Sequence, residues 1–226
     1  DYYMLCSLGL NYKNSSIRQR EKFAVQKPDM AFTASYFLDN LNLKECVLLS
    51  TCNRFELYCV IDSKSAAPAV AEGILNYYGA VPRNTGSFYI LFAEDAARHL
   101  FKVVSGLDSM VIGEHQILSQ VKFAYSAACE AKTTGYTLNK LFHQAIKIGK
   151  AARSETAISS DVVSFSGAAV AAARKELNGL AGRSSLLIGS GETAEMALGC
   201  LIKAGVEKSA VISRTFEHAS ALASKY

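Results

Sequence analysis

The sequence has no tryptophan and only three prolines among 226 residues. It has no low-complexity tract and no internal repeat. Disordered and repeat-rich architectures are therefore disfavoured, and the composition is that of one large or two small globular domains. No apolar run reaches the ~18–20 residues of a membrane span. The longest, around Cys46–Leu49 and Leu186–Ile188, have the length of strands. Asp1-Tyr2-Tyr3-Met4 lacks the basic and apolar segments of a signal peptide. A cytoplasmic protein with no membrane partner is expected. A large excess of one charge is also missing: a net +4 is compatible with a nucleic-acid partner without pointing to one.

The six cysteines, at 6, 46, 52, 59, 129 and 200, include no C-x-x-C pair, and no two histidines lie three to five residues apart. That spacing argues against a metal site, and the apolar content argues against a disulfide framework. Buried free thiols in a reducing compartment account for five of the six.

Hydrophobic periodicity divides the chain. Strand patterns cover Met4–Asn11, Cys46–Ser50, Phe55–Ile61 and Phe88–Phe92, and helical patterns cover Ser16–Phe23, Met30–Leu41 and Ala67–Tyr78. This order predicts an α+β, ferredoxin-like sheet of the split βαβ kind. From Glu94 to Arg153 the pattern is helical, with Ala97, Leu100, Phe101 and Val104 as one core face and further helices expected over Met110–Lys132 and Leu138–Arg153. After a polar hinge at Ser154–Asp161 and a helix over Val162–Leu177, the texture becomes α/β. Strands are expected at Ser185–Ile188 and Ala210–Ser213, around a helix at Thr193–Lys203. The expected domains are 1–159, catalytic, and 160–226, the start of a Rossmann-type nucleotide-binding domain. Two parallel strands are too few for such a domain, so a longer protein continuing past Tyr226 is expected.

Gly189-Ser190-Gly191-Glu192-Thr193-Ala194 matches G-x-G-x-x-G/A between a strand and a helix, the context the motif requires. Glycines let the backbone approach a pyrophosphate, and the helix amino terminus supplies N–H groups and positive dipole. At the end of the next strand an NAD site usually carries an acidic residue. Here Ser213-Arg214-Thr215 suits a 2′-phosphate, which favours NADPH over NADH; the alternative is that Arg214 is a solvated surface charge.

Between two strand patterns lies Thr51-Cys52-Asn53-Arg54. A loop cysteine beside an arginine has the elements of a nucleophile, because positive charge lowers a thiol pKa. Arg54 has two candidate tasks: supplying that charge, or gripping a substrate carboxylate with its planar fork. Ser109, Gly113, Gln116 and Gln120 are spaced +4, +3, +4, and on a helix they form one uncharged polar stripe. It is either a solvated face or a hydrogen-bonding surface for a small polar ligand.

Two long segments carry a family resemblance. Ser50-Thr51-Cys52-Asn53-Arg54-Phe55-Glu56-Leu57-Tyr58 and the run from His99 through Gly106-Leu107-Asp108-Ser109-Met110 and Gly113-Glu114-His115-Gln116 to Lys122 resemble the signatures of glutamyl-tRNA reductases. The likeness extends from Gly9 to the loop at 189–194. It implies reduction of glutamyl-tRNA to glutamate-1-semialdehyde with NADPH, through a cysteine thioester, as the first step of five-carbon tetrapyrrole biosynthesis. By the same resemblance Cys52 is the nucleophile and His99 is important for activity. Thr51, Asn53, Arg54, Ser109, Glu114, His115, Gln116, Gln120 and Ser164 belong to the substrate site, and Gly189–Ala194 to the NADPH loop. Position 115 is His where relatives commonly have Pro. Glutamyl-tRNA is the implied partner. A homodimer is implied for the complete protein, with glutamate-1-semialdehyde aminotransferase as product acceptor. The competing readings are a non-catalytic tRNA-binding or regulatory relative and a cysteine hydrolase or acyltransferase.

Overall fold

The computed structural model describes residues 3–80, 88–159 and 165–226. The chain forms two compact units, residues 1–160 and 161–226. In the first, the elements run β1 (Met4–Asn11), α1 (Ile17–Lys22), α2 (Met30–Asn40), β2 (Glu45–Ser50), β3 (Arg54–Ile61), α3 (Ala67–Tyr77), β4 (Tyr89–Phe92), α4 (Ala93–Val104), α5 (Gln116–Glu130) and α6 (Tyr136–Glu155). The strands make one antiparallel sheet in the order β2-β3-β1-β4.

Both faces of this sheet are covered. Every residue of β3 is buried. Because side chains alternate along a strand, Phe55, Leu57, Cys59 and Ile61 join one core with α2 and α3. Tyr58 and Val60 join a second core with α4, α5 and α6. Cys6, Cys59 and Cys46 are register neighbours across β1, β3 and β2, all with no exposed surface. Burial pushes the Cys46 thiol up to about 12.

The amino terminus of α6 is capped from a distance. Glu45 on β2 accepts hydrogen bonds from the backbone N–H groups of Gly135, Thr137 and Leu138, at 2.9, 3.1 and 2.7 Å. These satisfy donors that the helix leaves open, and the carboxylate complements the helix dipole.

The expected helix over Met110–Lys132 is corrected: α5 begins only at Gln116. Residues 105–115 form a loop closed by glycines. Gly106 and Gly113 have φ of 76° and 81°, values that side chains disfavour. The Gly113 N–H donates to the Gly106 carbonyl at 3.0 Å, and a Cβ on Gly106 would lie 2.9 Å from the Gly113 Cα. A continuous helix cannot pass through this pinch. Ser109 and Gly113 therefore share no helical stripe with Gln116 and Gln120. The core face of α4 is also rotated from the expected one. Ala96, Leu100, Val103 and Val104 are its buried residues, which turns His99 inward.

In the second unit, α7 (Phe165–Glu176) precedes β5 (Ser184–Ile188), α8 (Glu192–Lys203), β6 (Lys208–Ile212) and α9 (Phe216–Lys225). β5 and β6 are parallel and joined through α8. Leu187, Leu198 and Leu222 form one small core, and Val170, Leu180 and Val206 another. Among the described residues no helix is long and apolar enough to cross a membrane.

Replacing Glu45 by Ala removes three acceptors from the start of α6. The expected loss is about 1–2 kcal/mol, read as a lower urea midpoint with an unchanged denaturant slope.

Candidate active site

Thr51-Cys52-Asn53-Arg54 is the tip of the β2–β3 hairpin. The Thr51 hydroxyl oxygen accepts the Asn53 and Arg54 N–H groups, each at 3.2 Å, and the Thr51 N–H donates to the Arg54 carbonyl at 2.8 Å. This side-chain-closed turn leaves Cys52 exposed while Arg54 is 2% exposed.

Arg54 is turned into the second core. Its Nη1 donates to Glu56 Oε1 at 2.6 Å, and Nη1 and Nη2 both approach Asp108 Oδ2 at 3.2 Å. Nη2 also donates to the Asp108 carbonyl at 2.6 Å. Lys13 makes a second ion pair with Asp108. Of the two candidate tasks of Arg54, supplying charge to the thiol is not the one its contacts favour, because that charge is taken up by Glu56 and Asp108. The Cys52 thiol is instead pushed up. Burial is the main cause and the charge of Glu114 the second, opposed by the thiol's own backbone hydrogen bond and by Arg20.

Glu56 is the centre of the cluster. Besides Arg54 it faces His99 Nε2 at 3.0 Å and accepts the Tyr58 hydroxyl at 2.7 Å. The Tyr89 hydroxyl lies 3.1 Å from the same His99 nitrogen. Burial would raise the Glu56 carboxyl, but the Arg54 charge and the hydrogen bond from His99 overcome it and hold the group well below the usual carboxylate range. An ionised Glu56 accepts a hydrogen bond from Nε2–H, and in the neutral ring that tautomer leaves Nδ1 as the acceptor. His99 is thus oriented by a buried carboxylate, with its side chain 13% exposed. The expected core face of Ala97, Leu100, Phe101 and Val104 would leave His99 outside it; the rotation of α4 explains the difference.

The 105–115 loop is tied to the hairpin tip through Asp108 and to the helices through Arg153. The Arg153 guanidinium donates to the carbonyls of Val104 and Glu114, both at 3.0 Å. The Ser109 carbonyl accepts the Tyr12 hydroxyl at 3.3 Å. The Ser109 hydroxyl oxygen is buried and has no hydrogen-bond partner among the described residues. Such an orphan is costly unless something else satisfies it. Gln116 and Gln120 lie one turn apart on α5, both half-buried, and His115 is exposed just before it. The structure thus joins Thr51–Arg54 to His99 through Glu56 and to Ser109 through Tyr12, and the Glu114 charge acts on the Cys52 thiol. Gln120 makes no side-chain hydrogen bond to them among the described residues. Ser164 lies outside the described residues. Sequence reading missed Arg20, Glu56, Tyr89, Asp108 and Arg153. Glu56 stood within the quoted hairpin segment, and its polar character at a core-facing strand position was the available signal.

In the second unit, Gly189 has φ of 116° and donates its N–H to the Ile212 carbonyl at 2.7 Å. A Cβ on Gly189 or Gly191 would meet nothing within 4 Å. Gly191 is the N-cap of α8 and supplies no side-chain cap. The Ser190 hydroxyl donates to the Ser213 hydroxyl at 2.8 Å. Ser190, Ser213, exposed Arg214 and Thr215 border an open cleft of about 680 Å³. Glu192, Thr193 and Ala194 line the adjoining start of α8. Among the described residues no group of three or more His, Cys, Asp or Glu side chains is arranged to hold a metal ion.

Glu56→Gln leaves Arg54 buried with one carboxylate fewer, at an expected cost of about 3 kcal/mol in urea unfolding. Because the folded value of Glu56 is depressed, its stabilisation is complete above the unfolded value of ~4.3 and is lost as pH falls through the folded one. The parent should therefore lose more stability than the variant on going from about pH 5 to pH 2.

Residues 8–156 match the family described as glutamyl-tRNAGlu reductase, N-terminal domain, and residues 171–226 match shikimate/quinate 5-dehydrogenase. Glutamyl-tRNA reductase of Paenibacillus macerans is 38% identical over 221 residues, covering 97% of this chain and 51% of the relative. The Brevibacillus brevis protein of that name is 40% identical over 221 residues, covering 97% and 49%. The solved structure of glutamyl-tRNA reductase from Methanopyrus kandleri superimposes with a TM-score of 0.65 at 34% identity, over 98% of this chain and 52% of that one. The chain spans about half the length of the curated relatives it matches. With a family match over most of its length and a mixed α/β structure similar to a solved member, the chain belongs to the glutamyl-tRNA reductase family.

Proposed function

We propose that this chain carries the thioester-forming site of an NADPH-dependent glutamyl-tRNA reductase, with residues 1–159 as catalytic domain and 160–226 as part of the cofactor domain. The observation that carries the reading is the exposed Cys52 at a hairpin tip whose Arg54 anchors the loop bearing the unpartnered Ser109 hydroxyl. The order β2-β3-β1-β4 supports the ferredoxin-like description of the first unit, and the β5-α8-β6 unit supports a Rossmann-type start for the second.

In this mechanism the Cys52 thiolate attacks the glutamyl ester carbonyl. A C–S bond forms, the C–O bond to the tRNA ribose breaks, and the ribose oxygen takes a proton. The proton is the one Cys52 gives up on becoming a thiolate: His99 Nδ1, free because Nε2 is held by Glu56, takes it and passes it to the ribose oxygen. The thioester is a better hydride acceptor than the oxygen ester; a hydride added to its carbonyl carbon and cleavage of the C–S bond would release glutamate-1-semialdehyde and restore the thiolate. Ser109, Gln116 and Gln120 supply uncharged donors and acceptors for the glutamyl unit, together with Thr51, Asn53, Glu114 and Ser164. His115, exposed immediately before α5, borders the same set. Arg54 reaches a substrate carboxylate only by exchanging it for that of Asp108, so it acts first as the anchor of the loop.

Bound NADPH supplies the hydride. The open space before Gly189 and Gly191 and the uncapped start of α8 fit a diphosphate. Ser213, Arg214 and Thr215 fit a 2′-phosphate. Glutamyl-tRNA as partner, a cytoplasmic setting and a homodimer of the complete protein accompany this reading, which makes the product the first intermediate of five-carbon tetrapyrrole synthesis.

Incubation with glutamyl-tRNA in the absence of NADPH should give a glutamyl adduct on the Cys52 peptide by mass spectrometry. Cys52→Ser should abolish it, and an adduct mapping to another cysteine would refute the assignment. In the complete-length protein, Arg214→Asp should reduce the preference for NADPH over NADH about tenfold or more, the loss of one good charge-assisted contact. An unchanged preference would remove Arg214 from the 2′-phosphate site.

A further inference from the structure

A buried guanidinium ordinarily faces a carboxylate, because an unpaired charge is costly to remove from water. Arg54 obeys this rule with two carboxylates. Arg20, in the last turn of α1, does not. It is 9% exposed, yet among the described residues no carboxylate lies within ion-pairing reach of it. Both of its hydrogen bonds go to neutral carbonyls. Nε donates to Cys52 at 3.2 Å and Nη1 to Ser15 at 2.5 Å.

The local structure holds it there. Ser16 and Gln19 form a reciprocal capping box at the start of α1, which fixes the helix against the turn after β1. The Ser15 hydroxyl donates to the Asn11 carbonyl at 2.6 Å, and the Tyr12 N–H donates to the Asn53 carbonyl at 3.0 Å. The segment 11–20 is therefore stitched to the hairpin tip at both Asn53 and Cys52.

We propose that Arg20 is the positioning residue of the nucleophile: it fixes the Cys52 backbone and supplies the counter-charge for the Cys52 thiolate. Two charged side chains act on this sulfur, Arg20 from α1 and Glu114 from the 105–115 loop, and they act in opposite directions. Arg54, although adjacent in sequence, is engaged by Glu56 and Asp108. A thiolate formed at Cys52 gives the buried guanidinium the anion it otherwise lacks. The reacting sulfur and its counter-ion then come from separate elements, so the turn can present the thiol to substrate without carrying its own cation.

The inference rests on Cys52 being the nucleophile, but its test uses no tRNA. Alkylation of Cys52 by iodoacetamide is followed at the Cys52 peptide by mass spectrometry from about pH 6 to pH 10, where thiolate formation sets the rate. Arg20→Gln should move the inflection upward by about one pH unit, the effect of removing a nearby opposite charge, and slow the reaction near neutrality up to tenfold. Arg20→Lys should recover at least half of that shift. Arg18→Gln, an exposed neighbour on α1, should leave the inflection unchanged. An inflection in Arg20→Gln equal to that of the parent overturns the proposal. So does a shift in Arg20→Lys as large as in Arg20→Gln, which marks a packing role. If Arg20→Gln melts below the assay temperature, Arg20→Lys decides: an inflection within a few tenths of the parent supports the counter-charge, and a rise of a full unit overturns it. Failure of Cys52 to accept a glutamyl group would remove the proposed reaction, whereas an unmoved inflection removes Arg20 alone.

Discussion

The first unit depends on the pairing of Arg54 with Glu56 and Asp108. One guanidinium begins β3, reaches the loop between α4 and α5, and shares a carboxylate with His99 on α4. Three stretches distant in sequence are thereby held to one another around a fully buried Arg54–Glu56 pair. Such a cluster is a weak source of net stability, since desolvation offsets the attraction. Its value lies in specificity. An alternative arrangement of the 105–115 loop would leave Arg54 with a carboxylate missing, and the protein would bear the cost of that exposed mismatch.

Much of the first unit is legible in its sequence. The alternation of Arg54, Glu56, Tyr58 and Val60 against Phe55, Leu57, Cys59 and Ile61 is a period of two that marks a strand, although burial of its polar face is not what that pattern implies. The shortness of Thr51–Arg54 marks a tight turn. The strand–Gly–helix context of Gly189–Ala194 is equally local. These features are set by neighbours in sequence, where periodicity and turn chemistry carry information.

What escaped was set by partners far away. Val111, Ile112, Leu118 and Val121 imitate a continuous helix, but the positive φ of Gly106 and Gly113 and the clamp from Arg153 turn the segment into a loop. The inward turn of His99 depends on Glu56, 43 residues away in sequence. Arg20 on a short polar helix looks like a solvated charge, and its burial follows only from the docking of α1 on the hairpin. The polar stripe failed for the same reason: equal spacing implies a shared face only where the backbone is helical throughout.

The row formed by Cys6, Cys59 and Cys46 has a consequence for chemical selectivity. Three sulfurs lie side by side across adjacent strands, all within one buried core. Packing holds two of these thiols protonated, Cys59 through its contact with Cys6 and burial, and Cys46 chiefly through burial. Among the cysteines, soft electrophiles therefore encounter the thiol at the hairpin tip and those on the helices at Cys129 and Cys200. Strand register sorts the sulfur of this protein into an inert filling material and a reagent, and it does so without changing the side chain.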